Sequence, residues 1–255
     1  MKEYIKIVKA LELQHNNPQT KKEIDDNMKA ADNGIVHTIT DHITCMILAM
    51  LTANRVYEQI KQHLAELEVV FMHYDADKLM EADPEQLIQS VKNIRCGNMR
   101  IKYQMHALKH NISYLQHIQH EYGSIDIYYY SMNKYGLVKT LSKNLKEMGA
   151  PLISEYLPGV GIDLPKPDKH IRRILGSDRL GFSQRKIASI KESYDIIHAF
   201  AAATSEHERY IDVLLWAYCA EGEKNICSAN PQCEKCVIRE YCNYKKEGEV
   251  CGHTR

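Results

Sequence analysis

Apolar residues along this chain recur at intervals of three and four, the period of a helix, and nowhere alternate over the length of a strand. The pattern predicts a helix over residues 1–17, with Ile5, Val8, Leu11 and Leu13 as its buried stripe. Residues 18–36 are polar, with Pro18 and Asp32-Asn33-Gly34, and read as a loop or a short irregular helix. An almost wholly apolar helix follows over 41–51. Another is expected over 56–74, where Ile60, Leu64, Leu67 and Val70 share a face. Asp83 before Pro84 marks a helix start, an N-cap followed by a residue whose fixed φ suits the first turn. Residues 101–122 read as an amphipathic helix. Residues 123–130, with three consecutive tyrosines, read as a connector. Residues 137–146 read as a helix with Leu137, Leu141 and Leu145 inward.

The most punctuated stretch is 146–173. Met148-Gly149-Ala150 is a turn, since glycine admits close backbone approach. Leu152, Ile153, Tyr156 and Leu157 then recur at helical spacing, and Gly159 and Gly161 end that helix. Pro165 and Pro167 hold the chain extended and place Asp168 at the cap of the next helix, Lys169 onward. Residues 176–182 break that helix. Two more follow over 184–203 and 207–221, the last carrying Trp216, the single tryptophan, as an expected core residue. The reading is all-α.

Composition narrows the class without naming it. Of 255 residues, 44% are hydrophobic and 26% charged, ordinary for a globular protein. No apolar run is long enough to span a membrane, and the N-terminus lacks the apolar core of a signal peptide, so an intracellular protein is expected. Net charge is zero, yet between Lys134 and Lys191 there are twelve Lys or Arg against five Asp or Glu. A surplus of that kind is what a phosphate-contacting surface needs. Four of the eight cysteines are clustered as Cys227-x5-Cys233-x2-Cys236-x5-Cys242. In an intracellular chain such a cluster suggests metal ligands rather than disulfides, and four thiolates suit either zinc or an iron–sulfur cluster. Cys45, Cys96 and Cys219 sit in apolar helical contexts and read as small buried hydrophobes.

The order helix, glycine turn, helix, proline loop, Asp168, His-Ile-Arg-Arg resembles the helix-hairpin-helix DNA glycosylases, the superfamily of endonuclease III. The resemblance runs from about Asp41 to Cys242. It implies a two-lobed helical fold, with a six-helix-type barrel lobe over 36–140 and a second lobe formed by 1–35 and 141–255. It implies that the hairpin amides around Gly149 and Ala150, with Lys169 and His170, grip duplex DNA, and that Asp168 stabilises the sugar cation as a base departs. Thr52, Asn54 and Arg55, in Leu-Thr-Ala-Asn-Arg-Val, match the loop that enters the DNA, with Asn54 filling the gap of the extruded nucleotide. Arg95 and Asn98 match the turn that reaches the opposite strand. The family's cysteine loop, differing from this one by a single residue in its first gap, implies a [4Fe-4S] cluster on Cys227, Cys233, Cys236 and Cys242, with Lys235, Arg239, Lys245 and Lys246 facing DNA.

Two departures refine the expected activity. Relatives that also cleave the strand carry a Schiff-base lysine two residues after the hairpin glycine, and here that position is Pro151. A monofunctional glycosylase is therefore expected, with Lys146 and Lys169 the nearby amines. The glutamate that protonates adenine in the adenine glycosylases falls at Leu48, which points instead to an alkylated, deaminated or oxidised base. The partner is duplex DNA containing such a base, and a monomer is the default. Three other readings stand beside this one: a bifunctional glycosylase/lyase that uses another lysine, a protein of the same fold that binds modified bases without cutting, and a zinc-stabilised helical interaction protein.

Overall fold

Side-chain caps, more than apolar periodicity, fix where the helices begin. The computed structural model describes residues 2–14, 17–32, 34, 36–53, 55 and 57–244, and among these there is no strand. The helices are α1 (Lys2–Gln14), α2 (Pro18–Asp32), α3 (Ile39–Leu51), α4 (Tyr57–Lys61), α5 (Leu64–Val70), α6 (Ala76–Glu81), α7 (Pro84–Asn93) and α8 (Ile101–Tyr122). There follow α9 (Ile125–Tyr130), α10 (Lys134–Asn144), α11 (Ala150–Tyr156), α12 (Lys169–Ile174), α13 (Ile190–Thr204) and α14 (Glu208–Cys219). Thr38 and Asp41 close a capping box on α3, Ser189 and Glu192 another on α13, while Asp83, Ser124 and Asn133 cap α7, α9 and α10. No described helix is long and apolar enough to cross a membrane.

Three segments differ from the expectation. Residues 18–32 are a full helix although nearly every position is polar. Asn17 accepts the Thr20 amide at its start, Lys22 pairs with Asp26 one turn on, and among its described side chains only Ile24 and Met28 are buried. The helix expected over 56–74 is broken into α4, α5 and a 3₁₀ turn at Met72–Tyr74, where His73 has a φ of 57°. The tyrosine-rich connector is helix α9, started by Ser124. Smaller corrections concern single residues: Leu13 is 91% exposed while Ile7 is fully buried, and Trp216 is only half-buried.

Backbone contacts gather the helices into two units, 27–164 and 1–26 with 165–255. Residues 141–164, expected with the second lobe, group with the first, because α11 packs on α3 and α10. In the 27–164 unit α3 is the central element. His42, Ile43, Met46, Ile47, Ala49, Met50 and Leu51 are all buried, and α8 and α11 lie against it. The 3₁₀ turn Leu157–Val160 also reaches α3: a Cβ on Gly159 would sit 2.7 Å from the Cys45 sulfur, so only glycine fits. In the other unit α1, α13 and α14 pack on one another and α12 lies on α14. The Tyr4, Phe182 and Phe200 rings fill the space between α1 and α13.

Candidate functional site

The hairpin is α10, a turn over 145–149, and α11. Leu137, Val138 and Leu141 bury one face of α10, and Ile153, Ser154 and Tyr156 bury one face of α11. Between them Asn111 of α8 holds the turn by a double bond to one residue: its Nδ2 donates to the Lys146 carbonyl at 3.0 Å and its Oδ1 accepts the Lys146 amide at 2.8 Å. Arg100 holds Glu147, which takes the left-handed conformation at φ 61°. Gly149 therefore does not supply the positive φ. It caps α11 with φ −70°, is exposed, and a Cβ there would meet only Pro151 at an ordinary 3.8 Å. Nothing among the described residues requires a glycine at that position. Its absent side chain leaves the backbone of Gly149 and Ala150 open to approach from outside. Pro151 occupies the first turn of α11, and Lys146 and Lys169 are both exposed.

A second cluster joins two loops of the same unit. The α3 end and the turn before α8 were read separately from sequence, and the structure stitches them together. Thr52 is buried, its hydroxyl donating to the Ala49 carbonyl at 2.8 Å. Arg55 donates to the carbonyls of Gly97 at 2.5 Å and Arg95 at 2.8 Å. Asn98 donates to the Met50 carbonyl at 2.9 Å and to Gln104 at 3.1 Å, and accepts the Arg100 amide. Thr52, Arg55 and Asn98 thus build the platform. Asn54 lies outside the described residues. What the platform presents is Arg95, exposed with φ 58°, and Met99, 93% exposed beside Arg100. Met99 was not singled out from the sequence. The available signal was an apolar residue in a Gly-Asn-Met-Arg turn.

Asp168 caps α12. Its Oδ1 accepts the amides of His170 at 2.7 Å and Ile171 at 3.1 Å, so both capping bonds end on one oxygen and the cap does not use the other. The carboxylate is half-buried, with Lys169 exposed beside it. His170 accepts an Arg173 N–H on Nδ1 at 3.2 Å, which puts the proton of the neutral ring on Nε2. Burial lowers the proton affinity of His170 against the attraction of Asp168. The same Arg173 nitrogen donates to the Cys227 carbonyl at 3.1 Å, tying α12 to the cysteine loop.

That loop does not form the expected metal site. Among the described residues no group of three or more His, Cys, Asp or Glu side chains lies together so as to hold a metal ion. Cys227 is buried and bonds to the thiol of Cys219 on α14, a bond that, against the effect of burial, lowers its pKa to about 7. Cys236 turns to the Tyr218 hydroxyl, and burial pushes the Cys242 thiol up to about 11. The loop is held by its backbone instead: Gln232 bonds to Ile226, and Val237 donates to the Tyr218 hydroxyl at 3.1 Å. The [4Fe-4S] assignment to Cys227, Cys233, Cys236 and Cys242 is thereby overturned, and zinc on the same thiols with it. Lys235 and Arg239 are exposed, while Lys245 and Lys246 lie outside the described residues.

One buried constellation escaped the sequence reading altogether. His42 of α3, Asp126 of α9 and Tyr156 of α11 are bonded in series, with His37 and Tyr129 at the ends. No spacing in the sequence links positions 42, 126 and 156.

No family model matches the chain, and no curated protein does. Solved structures do. The 8-oxoguanine glycosylase/lyase of Methanocaldococcus jannaschii, solved in complex with a 15-mer DNA containing 8-oxoguanine, superposes with a TM-score of 0.58 at 18% identity. The match covers 85% of this chain and 97% of that one. The 8-oxoguanine DNA glycosylase of Thermotoga maritima gives 0.58 at 19%, covering 87% and 98%. At these identities the likeness is one of fold. The chain shares its fold with these two 8-oxoguanine DNA glycosylases.

Proposed function

We propose that this protein is a DNA base-excision glycosylase that hydrolyses the N-glycosidic bond of an extruded, damaged base in duplex DNA. The observation that carries the reading is Asp168: a carboxylate that caps its helix with one oxygen only, in a fold shared with two 8-oxoguanine glycosylases. In the reaction the bond from C1′ to the base nitrogen breaks, the base leaves with the electron pair, and the sugar becomes an oxocarbenium ion. The second oxygen of Asp168 stabilises that charge and takes a proton from the water that adds to C1′. The open backbone at Gly149 and Ala150 contacts a phosphate of the strand. Arg95 and Met99 meet the duplex, a cation against the backbone and an apolar wedge between bases. An oxidised purine of the 8-oxoguanine kind is the first substrate to try. Pro151, in the first turn of α11, offers no amine at the position expected for the Schiff-base lysine, which supports a monofunctional enzyme.

A second reading has one observation in its favour. Capping alone accounts for both hydrogen bonds of Asp168, which suits a protein that binds modified bases without cutting. Duplexes carrying single lesions (8-oxoguanine, uracil, hypoxanthine, a thymine–guanine mismatch, an alkylated purine) decide between the two. Each reaction is split with and without alkali, beside Asp168→Asn. Strand breaks that need alkali and vanish in the variant are the expected result. Breaks without alkali overturn the monofunctional reading, and tight binding with no product from any lesion replaces the enzyme with the reader.

A further inference from the structure

The chain of buried groups on α3, α9 and α11 forces its own direction. Asp126 is 3% exposed and His42, Tyr129 and Tyr156 are 0%, 1% and 0% exposed. A carboxylate only accepts, so the His42 Nε2 must donate to Asp126 Oδ1, at 2.9 Å. The other ring nitrogen of neutral His42 is then an acceptor, and the Tyr156 hydroxyl donates to it at 2.7 Å. Tyr156 in turn accepts from the Tyr129 hydroxyl at 3.2 Å. Asp126 Oδ2 takes the His37 amide at 2.6 Å and the His37 Nδ1 at 3.0 Å. Each donor along this path has an acceptor, and the path passes through Tyr156 of the hairpin helix before ending at Tyr129 of α9.

We propose that His42 and Asp126 are positioning residues of the hairpin: through the Tyr156 hydroxyl they fix α11 and the turn before it in the arrangement that meets a duplex, and protonation of His42 loosens it. The duplex half of this rests on the function proposed above. A proton added to His42 Nδ1 faces a second hydrogen across 2.7 Å. Tyr156 must then turn its hydrogen toward Tyr129, which must turn as well, inside a site closed to water. The titratable groups facing His42 are Asp126 of α9, His37 of the segment before α3, and Asp41 of its own helix. Tyr156 faces it from α11 and Tyr129 from α9, and the Cys45 thiol, raised to about 12 by burial, lies near Tyr156. Burial lowers the proton affinity of His42, outweighing the bond to Asp126, so the ring is neutral at neutral pH. The Cys45–Gly159 approach is a second tie between α3 and the hairpin exit, which does not titrate in this range.

The test is amide exchange over 145–157, corrected for the chemical rate, from pH about 7.5 to about 5. Wild type is compared with Tyr156→Phe, which keeps the ring and loses only the hydroxyl. Affinity for a short undamaged duplex is measured over the same range by fluorescence anisotropy. Wild type is expected to lose about tenfold in hairpin protection and in duplex affinity as the pH falls, one unit's worth of proton linkage. Tyr156→Phe is expected to start about tenfold weaker in both and to show no pH dependence. If Tyr156→Phe does not fold, His42→Gln, which can still bridge Asp126 and Tyr156 but cannot titrate, is expected to show no pH dependence in either measurement. Wild-type exchange that ignores pH, or a variant that keeps the wild-type profile, overturns the positioning role. A wild-type chain that binds no duplex at any pH overturns the reading of the hairpin, so the two failures show on separate measurements.

Discussion

The buried network beneath the hairpin and the Asp168 loop each contain a carboxylate, and they treat it in opposite ways. Asp126 is buried and takes bonds on both oxygens, from His42 and from the amide and ring of His37. Burial works to raise its pKa, the hydrogen bonds prevail, and the group ends below its ordinary value. Asp168 is half-buried and, among the described residues, bonded through one oxygen only. A buried carboxylate engaged on both oxygens can position its neighbours but is poorly placed to meet a new charge. One that keeps an oxygen in reserve can do so. The contrast separates a positioning group from a candidate catalytic one by geometry alone.

That contrast can be broken by experiment. The largest effect is expected at Asp168. Its replacement by Asn keeps the cap, since Asn and Asp cap equally well, and removes the negative charge, so base excision should fall by about a hundredfold or more while duplex binding stays within about threefold. Activity retained in that variant would return Asp168 to a capping role. At Asp126 the same Asp→Asn change should cost about 2 kcal/mol of stability, because a buried donor of His42 or His37 loses its partner. Urea denaturation reads this directly, and an unchanged midpoint would sink the buried network.

Smaller effects follow at the surface and in pH. His42 has a folded-state pKa below its ordinary value of about 6.5, so the unfolded chain takes the proton first. Stability should therefore be complete above about pH 6.5 and decline as the pH falls toward the folded value, with His42→Gln removing that slope. Arg95→Ala should weaken duplex binding a few-fold and reduce the salt slope by about one, with no change in the unfolding midpoint. The smallest expected effect is on stability: Asp168→Ala should lose about 1 kcal/mol, the worth of an N-cap, in contrast to the Asn variant.

Legibility from sequence depended on how local the cause was. Asp83 with Pro84, and Asp168 after two prolines, announced helix starts because a cap and the amides it bonds are two or three residues apart. Helix α2 was missed because its stability comes from an Asn cap and i,i+4 pairs rather than an apolar stripe. The break of 56–74 at Lys61 and again at Phe71 left no proline or glycine to read. At the candidate site, Arg55 and Asn98 were picked for DNA contact and turn out to bond the two loops together, a role that depends on residues more than forty positions away. The cysteine spacing gave the clearest motif and the clearest error: spacing places four sulfurs in one loop, but which neighbours they face is set by Cys219, Tyr218 and Arg173 on other helices.

By itself, the sequence determined that the chain is helical, where the capped helices begin, that a glycine turn precedes an aspartate loop, and that no lysine follows that glycine. Those features act over one turn of helix, the range that residue order encodes directly. The tertiary structure alone decided which carboxylate is held on both oxygens and which on one, that the hairpin packs with α3, and that no group of described cysteines is placed to hold a metal ion. Each of these depends on groups distant in the chain meeting in a site that excludes water, where an unpaired polar group costs more than any local preference supplies.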